Sequence, residues 1–455
     1  MKEIFRKLIP VICLVPLVVG MVGYLLSGEW ISDALYASFA LYFTNPVSEA
    51  YNGCIEFARW TAPLVTATAI LCVLKSVWDR LAWRVAGLAR DSVAVYTDED
   101  IAIRFGRKTR AVYPGERFLS YFKSHIILFA SDRKSLQFFE EHRAQLEGKA
   151  VYIGLRELEM GLMREVDGVT FFDINSSIAR NFWKKTGLWR QGKKEAGIVI
   201  YGDGLLAQNM LSAGLQLNLF SKEQHITYHV VSGKGHFQRK HADLPLLNGD
   251  EIVYHAGSEE GGMDAAAWEA IERADFVLVA DLVSAEMLQT IAVKTGEGKL
   301  YYYSPVGGDM GEYIAFGKPA AFGRNEEIFT DENIRRQKLI QAAMALNGQY
   351  AEKYGTEKDW NRLSGFLKSS NISSADFHQV LKELASSVPE EELAELEHIR
   401  WGRFYSLNYW KQGSPEGGGR KDDARRIHRD LVPYSTLSEE EKEKDRDVVK
   451  RAAQR

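Results

Sequence analysis

The stretch IVIYGDGLLAQNM, Ile198–Met210, decides the fold. An apolar run enters Gly202-Asp203-Gly204, and a helix-like segment leaves it. With Ala207 in third place the turn fits Gly-x-Gly-x-x-Gly/Ala. Gly202 permits a tight turn, and Gly204 lets backbone approach a pyrophosphate at the next helix's positive end. Ala207 lets helix and strand pack closely. The spacing predicts the strand, loop and helix of a Rossmann-like unit, with Gly202, Asp203, Gly204 and Leu205 as nucleotide contacts.

A ribose-binding acid belongs about 20 residues on, at the end of the next strand. That strand, HITYHVV, ends at Ser232-Gly233-Lys234 and carries no acid there. Ser232 suits a ribose hydroxyl and Lys234 a phosphate. Asp281 closes ADFVLVADL, either beside the nucleotide or as a cap for the following helix. The cofactor stays open between NAD(H), NADP(H), another adenine nucleotide and none.

Around this motif, short apolar runs alternate with polar, helix-like segments. SHIILFA, KAVYIGL and VTFFDI come before it; DEIVYHA, ADFVLVAD and KLYYYSP come after. Such alternation predicts parallel α/β sheets, here as two tandem Rossmann-like units over 85–190 and 193–325. The first unit enters like its twin, VAVYTDEDIA, but has Thr97 and Glu99 where glycines belong. Both carry a Cβ, and Glu99 adds negative charge, so this copy has lost nucleotide binding or takes a different ligand.

Toward the N-terminus the composition turns apolar. Leu8–Leu26 has no charge and is long enough for a bilayer core of about 20 residues. Pro10 and Pro16 should kink it. Trp60–Leu74 is a second, shorter candidate, flanked by Lys75 and by Trp78 and Trp83 at interface height. Lys2, Arg6, Lys7, Lys75, Arg80 and Arg84 lie outside the pair, and Glu29, Asp33, Glu49 and Glu56 lie between. The positive-inside rule then predicts a membrane hairpin over 1–84, inserted in lipid of the plasma membrane with both chain ends cytoplasmic. A cleaved signal peptide is disfavoured by the run's length and the lack of an Ala-x-Ala site.

Between the spans, Asp33 reads as the N-cap of a short helix over Ala34–Phe43, ending before Asn45-Pro46. A hairpin enclosing a short helix resembles a two-helix cation-channel pore, which would put Phe43, Thr44, Asn45 and Glu49 on the pore. The Thr-Val-Gly-Tyr-Gly filter of potassium channels is absent. The alternative is an extracytoplasmic loop on an anchor.

The formal charge of −4 gives no global pull toward nucleic acid, and no nucleic-acid partner is expected. Cys13, Cys54 and Cys72 make neither a disulfide framework nor a zinc motif. No Tyr-x-x-x-Lys pair or substrate domain supports a membrane-anchored NAD(P)-dependent oxidoreductase, so the chain is read as a non-enzyme without a catalytic residue.

The paired motifs IVIYGDGLLAQ and ADFVLVADL resemble the TrkA-N (RCK) regulatory domains of potassium channels and transporters, over Asp91–Pro319. That resemblance implies a dimer or tetramer that couples ligand binding to gating, or a non-conducting regulatory subunit of a cation transporter. A helical connector over 326–390 follows, with Asp331 as the cap of DENIRRQKLIQAAMALNGQYAEKYG. The segment 391–455 resembles the RyR domain through Glu397-His398, Arg400-Trp401, Trp410, His428, Leu431–Tyr434, Glu441-Lys442 and Asp445-Arg446. It departs at the Gly-rich insert GSPEGGG and at Asn408-Tyr409-Trp410. Ser438 and Glu441 form a capping box that launches the terminal helix.

The resemblance implies ligand or partner sensing; by residue type, Trp401, Trp410 and Tyr434 suit stacking on a base, and Arg400, Arg425 or Arg426 suit phosphates. The structural alternative makes the tryptophans core and His398 and His428 satisfied groups. Membrane spans joined to such modules resemble nucleotide-sensing, ligand-gated pores, including bacterial antiphage effectors.

Overall fold

The computed structural model describes residues 2–453 apart from 161–162, 165, 258–261, 308–309 and 417; the side chains of 2–12, 76, 336 and 453 also lie outside the description. The chain divides into two compact units, Met1–Arg90 and Asp91–Arg455.

The smaller unit is three helices. These are α1 (Lys2–Leu26), α2 (Ile31–Ala40, extended by a 3-10 turn over Leu41–Phe43) and α3 (Gly53–Gly87). Small residues let the backbones close. A Cβ on Gly20 would meet Ala58 at 3.1 Å, and one on Gly23 would meet Ile55 at 2.8 Å. The seam is Tyr24, Ala34, Ala37, Leu41, Ile55, Ala58 and Ala62. Asn52 caps α3, accepting from the Cys54 and Ile55 N–H groups, and its amide donates to the Gly23 carbonyl at 2.7 Å. Asp33 is not a cap: α2 begins two residues earlier, after Trp30, with no side-chain cap. The helix does stop before Asn45-Pro46, where Thr44 turns left-handed (φ 57°). Among the described residues α3 is the one helix long and apolar enough to cross a membrane, with Cys13–Leu26 a shorter apolar stretch.

The larger unit holds two parallel sheets. The first comprises β1 (Ser92–Tyr96), β2 (Arg110–Val112), β3 (Ser124–Ile127), β4 (Ala150–Leu155) and β5 (Val169–Asp173), in the order 2-1-3-4-5. α4 (Asp132–Leu146) and α5 (Ile174–Thr186) follow β3 and β5. The second comprises β6 (Glu195–Tyr201), β7 (His225–Ser232), β8 (Glu251–Ala256), β9 (Phe276–Val279), β10 (Leu300–Tyr303) and β11 (Ala320–Phe322). Read from β8 its order is β8-β7-β6-β9-β10-β11, the 3-2-1-4-5-6 order of a dinucleotide-binding fold. The two sheets are therefore not copies in connectivity.

A central parallel strand is covered on both faces and reads as a continuous apolar run. Ile198 and Ile200 of β6 enter one core with Met210, Leu211 and Trp183, while Val199 enters the other with Ile271 and Leu288. The first face carries α6 (Leu205–Leu217); the second carries α8 (Ala265–Arg273) and α9 (Ala285–Lys294). α7 (His236–Lys240) follows β7. Trp183 of α5 is fully buried on α6, donating its indole N–H to the Met210 carbonyl at 2.8 Å. Gly214 makes room: a Cβ there would meet the indole at 3.1 Å.

The C-terminal region is helical. After α10 (Asn325–Ile328), a π-helical segment spans Glu332–Arg336, and Gln337 is left-handed (φ 34°) before α11 (Lys338–Tyr354). The helix read through DENIRRQKLIQ is thus broken, and Asp331 does not cap it; its carboxylate takes Arg335 at 2.5 Å. α12 (Gly365–Leu384), α13 (Glu390–Leu407) and α14 (Glu439–Ala453) complete the region, with short strands β12 (Lys411–Gln412), β13 (Lys421–Asp422) and β14 (Ile427–His428) between the last two helices. Ser438 accepts from the Glu441 N–H, but the Glu441 carboxylate serves Arg420 and Lys444 instead of reaching back, so the capping box is half formed.

Candidate functional site

The Gly202–Gly204 turn has the shape its sequence predicts. Gly202 sits at φ 148°, where a Cβ would meet Asp281 at 3.0 Å and Ala207 at 3.1 Å. Gly204 is the N-cap of α6. The loop amides, however, are already engaged. Asp281 accepts from the Asp203 N–H at 2.7 Å and the Gly204 N–H at 3.3 Å. Asp281 does not cap the next helix; Ser284 does, accepting from the Met287 N–H.

Asp203 performs a matching task across the crevice. Its carboxylate accepts from Ser232 Oγ, the Gly233 N–H at 2.9 Å and the Lys234 N–H at 2.8 Å. Burial disfavours its charge, but these donors outweigh that and hold its pKa below the usual carboxylate range. Gly202, Asp203, Gly204, Ser232 and Asp281 thus come together as the sequence predicts, with Leu205 opening α6 beside them. They form a self-satisfied cluster with one carboxylate where a pyrophosphate would lie and another at the ribose position. The hollow beside the loop measures about 10 Å³, the size of one water. In this closed form the loop does not fit a dinucleotide.

The twin loop of the first sheet shares one of these contacts, and its Glu99 N–H donates to Thr97 Oγ1 at 3.1 Å. Asp98 accepts from the Ala130 N–H at 2.9 Å, and Glu99 pairs with Arg156 at 2.6 Å. Asp132 accepts three backbone N–H groups, from Arg156, Glu157 and Leu158, at 2.7–2.9 Å.

The aromatic residues of the C-terminal region form a core. Trp410 and Tyr434 are 4% and 5% exposed, and Trp401 is half-buried against His398, Tyr405 and His428. Tyr434 donates to Glu391 at 3.0 Å. Arg400 is buried; its guanidinium bonds Glu397 twice at 2.7 Å and Ser373 at 2.7 Å, so it does not reach solvent phosphate. Arg425 is exposed and paired with Glu416. Arg426 donates to the Asn408 carbonyl and lies over Tyr409.

His398 bonds the Val432 carbonyl at 2.8 Å and Asp445 at 3.2 Å; burial opposes its charge, but Asp445 prevails and raises its pKa. Burial lowers His428 to about 4, and the neutral ring accepts from the Asp430 N–H. In the smaller unit Phe43, Thr44, Asn45 and Glu49 are all exposed.

Two groups escape a reading of motifs. Arg403, fully buried, bonds the Leu246 and Leu215 carbonyls, Asn248 and Asp250 at 2.6–2.8 Å, tying α13 to the second sheet. A cleft of about 520 Å³ is lined by α5, α6, α12 and the start of α11. A sequence trace of that cleft is the polar stripe on the otherwise apolar α6: Gln208, Asn209, Ser212 and Gln216.

A comparison with curated proteins finds no match to the chain. Residues 374–454 match the family model of the RyR domain, so the chain carries a RyR domain at its C-terminus, entered within α12.

Proposed function

We propose that the protein is a ligand-responsive membrane effector. α1 and α3 form a transmembrane hairpin in the plasma membrane, and a nucleotide bound by the α/β and RyR part controls ion passage through an assembly of several chains. One observation carries this reading. A single chain joins a 35-residue helix with an apolar stretch long enough to cross a bilayer, Trp60 71%, Leu64 64% and Leu71 65% exposed along it, to two parallel-sheet units and a RyR domain. Exposed apolar side chains along one helix are costly in water and at home in lipid.

Arg59 adds support. It lies on α3 beside the seam, its Nε has no hydrogen-bond partner, and an ionisable group in a spanning helix faces a bundle interior or a water-filled path. The TrkA-N (RCK) likeness, a dimeric or tetrameric ring and a role in antiphage defence belong to this proposal.

The test is ion flux from liposomes carrying the full chain, with and without ADP, ATP, NAD(H) and cyclic dinucleotides. Flux switched by one of them is the expected result. Absence of flux with every ligand, in protein shown to be oligomeric, would overturn the proposal.

A further inference from the structure

The cleft of about 520 Å³ falls in the range of small-molecule pockets, roughly 300–1,000 Å³. Helices normally meet through apolar seams, yet three helices here turn polar stripes toward one another. α6 shows Gln208, Asn209, Ser212 and Gln216 to the cleft while Met210, Leu211 and Leu215 face the sheet. α5 shows Ser176, Ser177, Arg180 and Lys184 while Ile178, Phe182 and Trp183 are core. α12 adds Ser369, Ser373 and Asp376 opposite Phe377, Val380 and Leu381. These spacings of three and four put each stripe on one helix face. Between the stripes the lining is apolar, with Ile340, Ile372 and Phe404 among it, and such a mixed wall suits a ligand with polar and apolar parts.

The charge arrangement states which ligand. Asp376 is 4% exposed and takes both Arg180 at 3.2 Å and Lys184 at 2.5 Å. Asp173, the other acid beside Arg180, is spent capping α5 through the Ser176 N–H. Lys240 and Lys338 at the margins are paired with Glu159 and Glu332. Arg180 also donates to Ser176 at 2.8 Å and Ser177 at 3.2 Å, but two cations share one buried carboxylate, which leaves an excess of positive charge at this end of the cleft. Another part of the lining is apolar and aromatic: Phe237, Leu407 and His241, the last stacked on Tyr409 at 5.2 Å. Asn333 and Gln337 come from the π-helical break. Gln337 is held there at φ 34°, a left-handed conformation for a non-glycine residue.

We propose that this cleft, and not the Gly202–Gly204 loop, is the ligand site, and that it takes a phosphorylated nucleoside. The base lies against Phe237, His241 and Leu407, the sugar meets the stripes of α6 and α12, and the phosphate engages Arg180 and Lys184. This rests on the nucleotide-responsive reading above and moves its site.

The test is calorimetric titration of the detergent-solubilised full chain, freed of nucleotide, with ADP as probe and adenosine and inorganic phosphate as controls. ADP should bind, with adenosine and phosphate each at least about tenfold weaker. Ser212→Trp from α6 and Ser369→Trp from α12 each fill the cleft and should abolish ADP binding, with unchanged circular dichroism showing the fold intact. Gly204→Val should leave ADP binding intact. Unaltered ADP affinity in either folded tryptophan variant would overturn the cleft. Loss in Gly204→Val alone would return the site to the loop and leave the nucleotide-responsive reading standing. No ADP binding by the parent chain would overturn this assignment, while the flux assay judges the effector reading separately.

Discussion

At the scale of residues, Asp281 and Asp203 decide how the Gly-rich turn is used. Each carboxylate accepts backbone N–H groups that would otherwise await a ligand. Asp281→Ala leaves the Asp203 N–H without its acceptor, at a cost of about 1–3 kcal/mol. Its unfolding midpoint in urea should fall accordingly, and the loop should gain affinity for inorganic phosphate, measured by titration. A variant as stable as the parent would show that Asp281 is not a clamp.

His398 supplies a pH signature. Its pKa is raised in the folded chain because Asp445 outweighs burial. The stability it contributes is complete below the unfolded value near 6.5 and is lost as pH rises through the folded value. The melting temperature should therefore fall as pH rises past 6.5, and His398→Gln should flatten that trend. The glycines were legible in the sequence because a tight turn needs them. The two clamps were not, because they depend on which strand ends the sheet brings together.

At the scale of elements, nine strand segments stood out as apolar runs, and their alternation with helical segments was enough to expect parallel α/β sheets. The first sheet's 2-1-3-4-5 order did not show, because apolar runs mark strands but not their neighbours. Nor did the break at Gln337, which lies inside a favourable helical pattern. The join between α13 and the second sheet rests on Arg403, whose planar fork meets two carbonyls, Asn248 and Asp250 without solvent. Removing one partner of a buried pair costs about 3–5 kcal/mol because the other charge is stranded. Arg403→Met should show that loss in denaturant unfolding, while adding Asp250→Leu should recover part of it. In the smaller unit, Gly23→Leu would force α1 from α3, since a Cβ alone meets Ile55 at 2.8 Å. Cross-linking between cysteines placed on these helices should fall sharply.

At the scale of the molecule, one helix touches every module of the larger unit. α6 begins at the Gly-rich turn, packs on α5 through Trp183, lines the cleft, and meets α13 where Arg403 bonds the Leu215 carbonyl. A ligand acting on α6 is therefore in a position to bias the RyR domain and both sheets at once. If that bias also controls the smaller unit, linkage requires reciprocity: whatever favours the unliganded state of that unit weakens ligand binding by the same factor. Residues 91–455 form a compact unit of their own. Deleting 1–90 removes the work of shifting the smaller unit, so ADP affinity should rise by about 5–150-fold, the usual size of such coupling. Equal affinities for the two chains, measured in the same detergent, would mean that binding and the state of the smaller unit are uncoupled, and the proposed gating would fall.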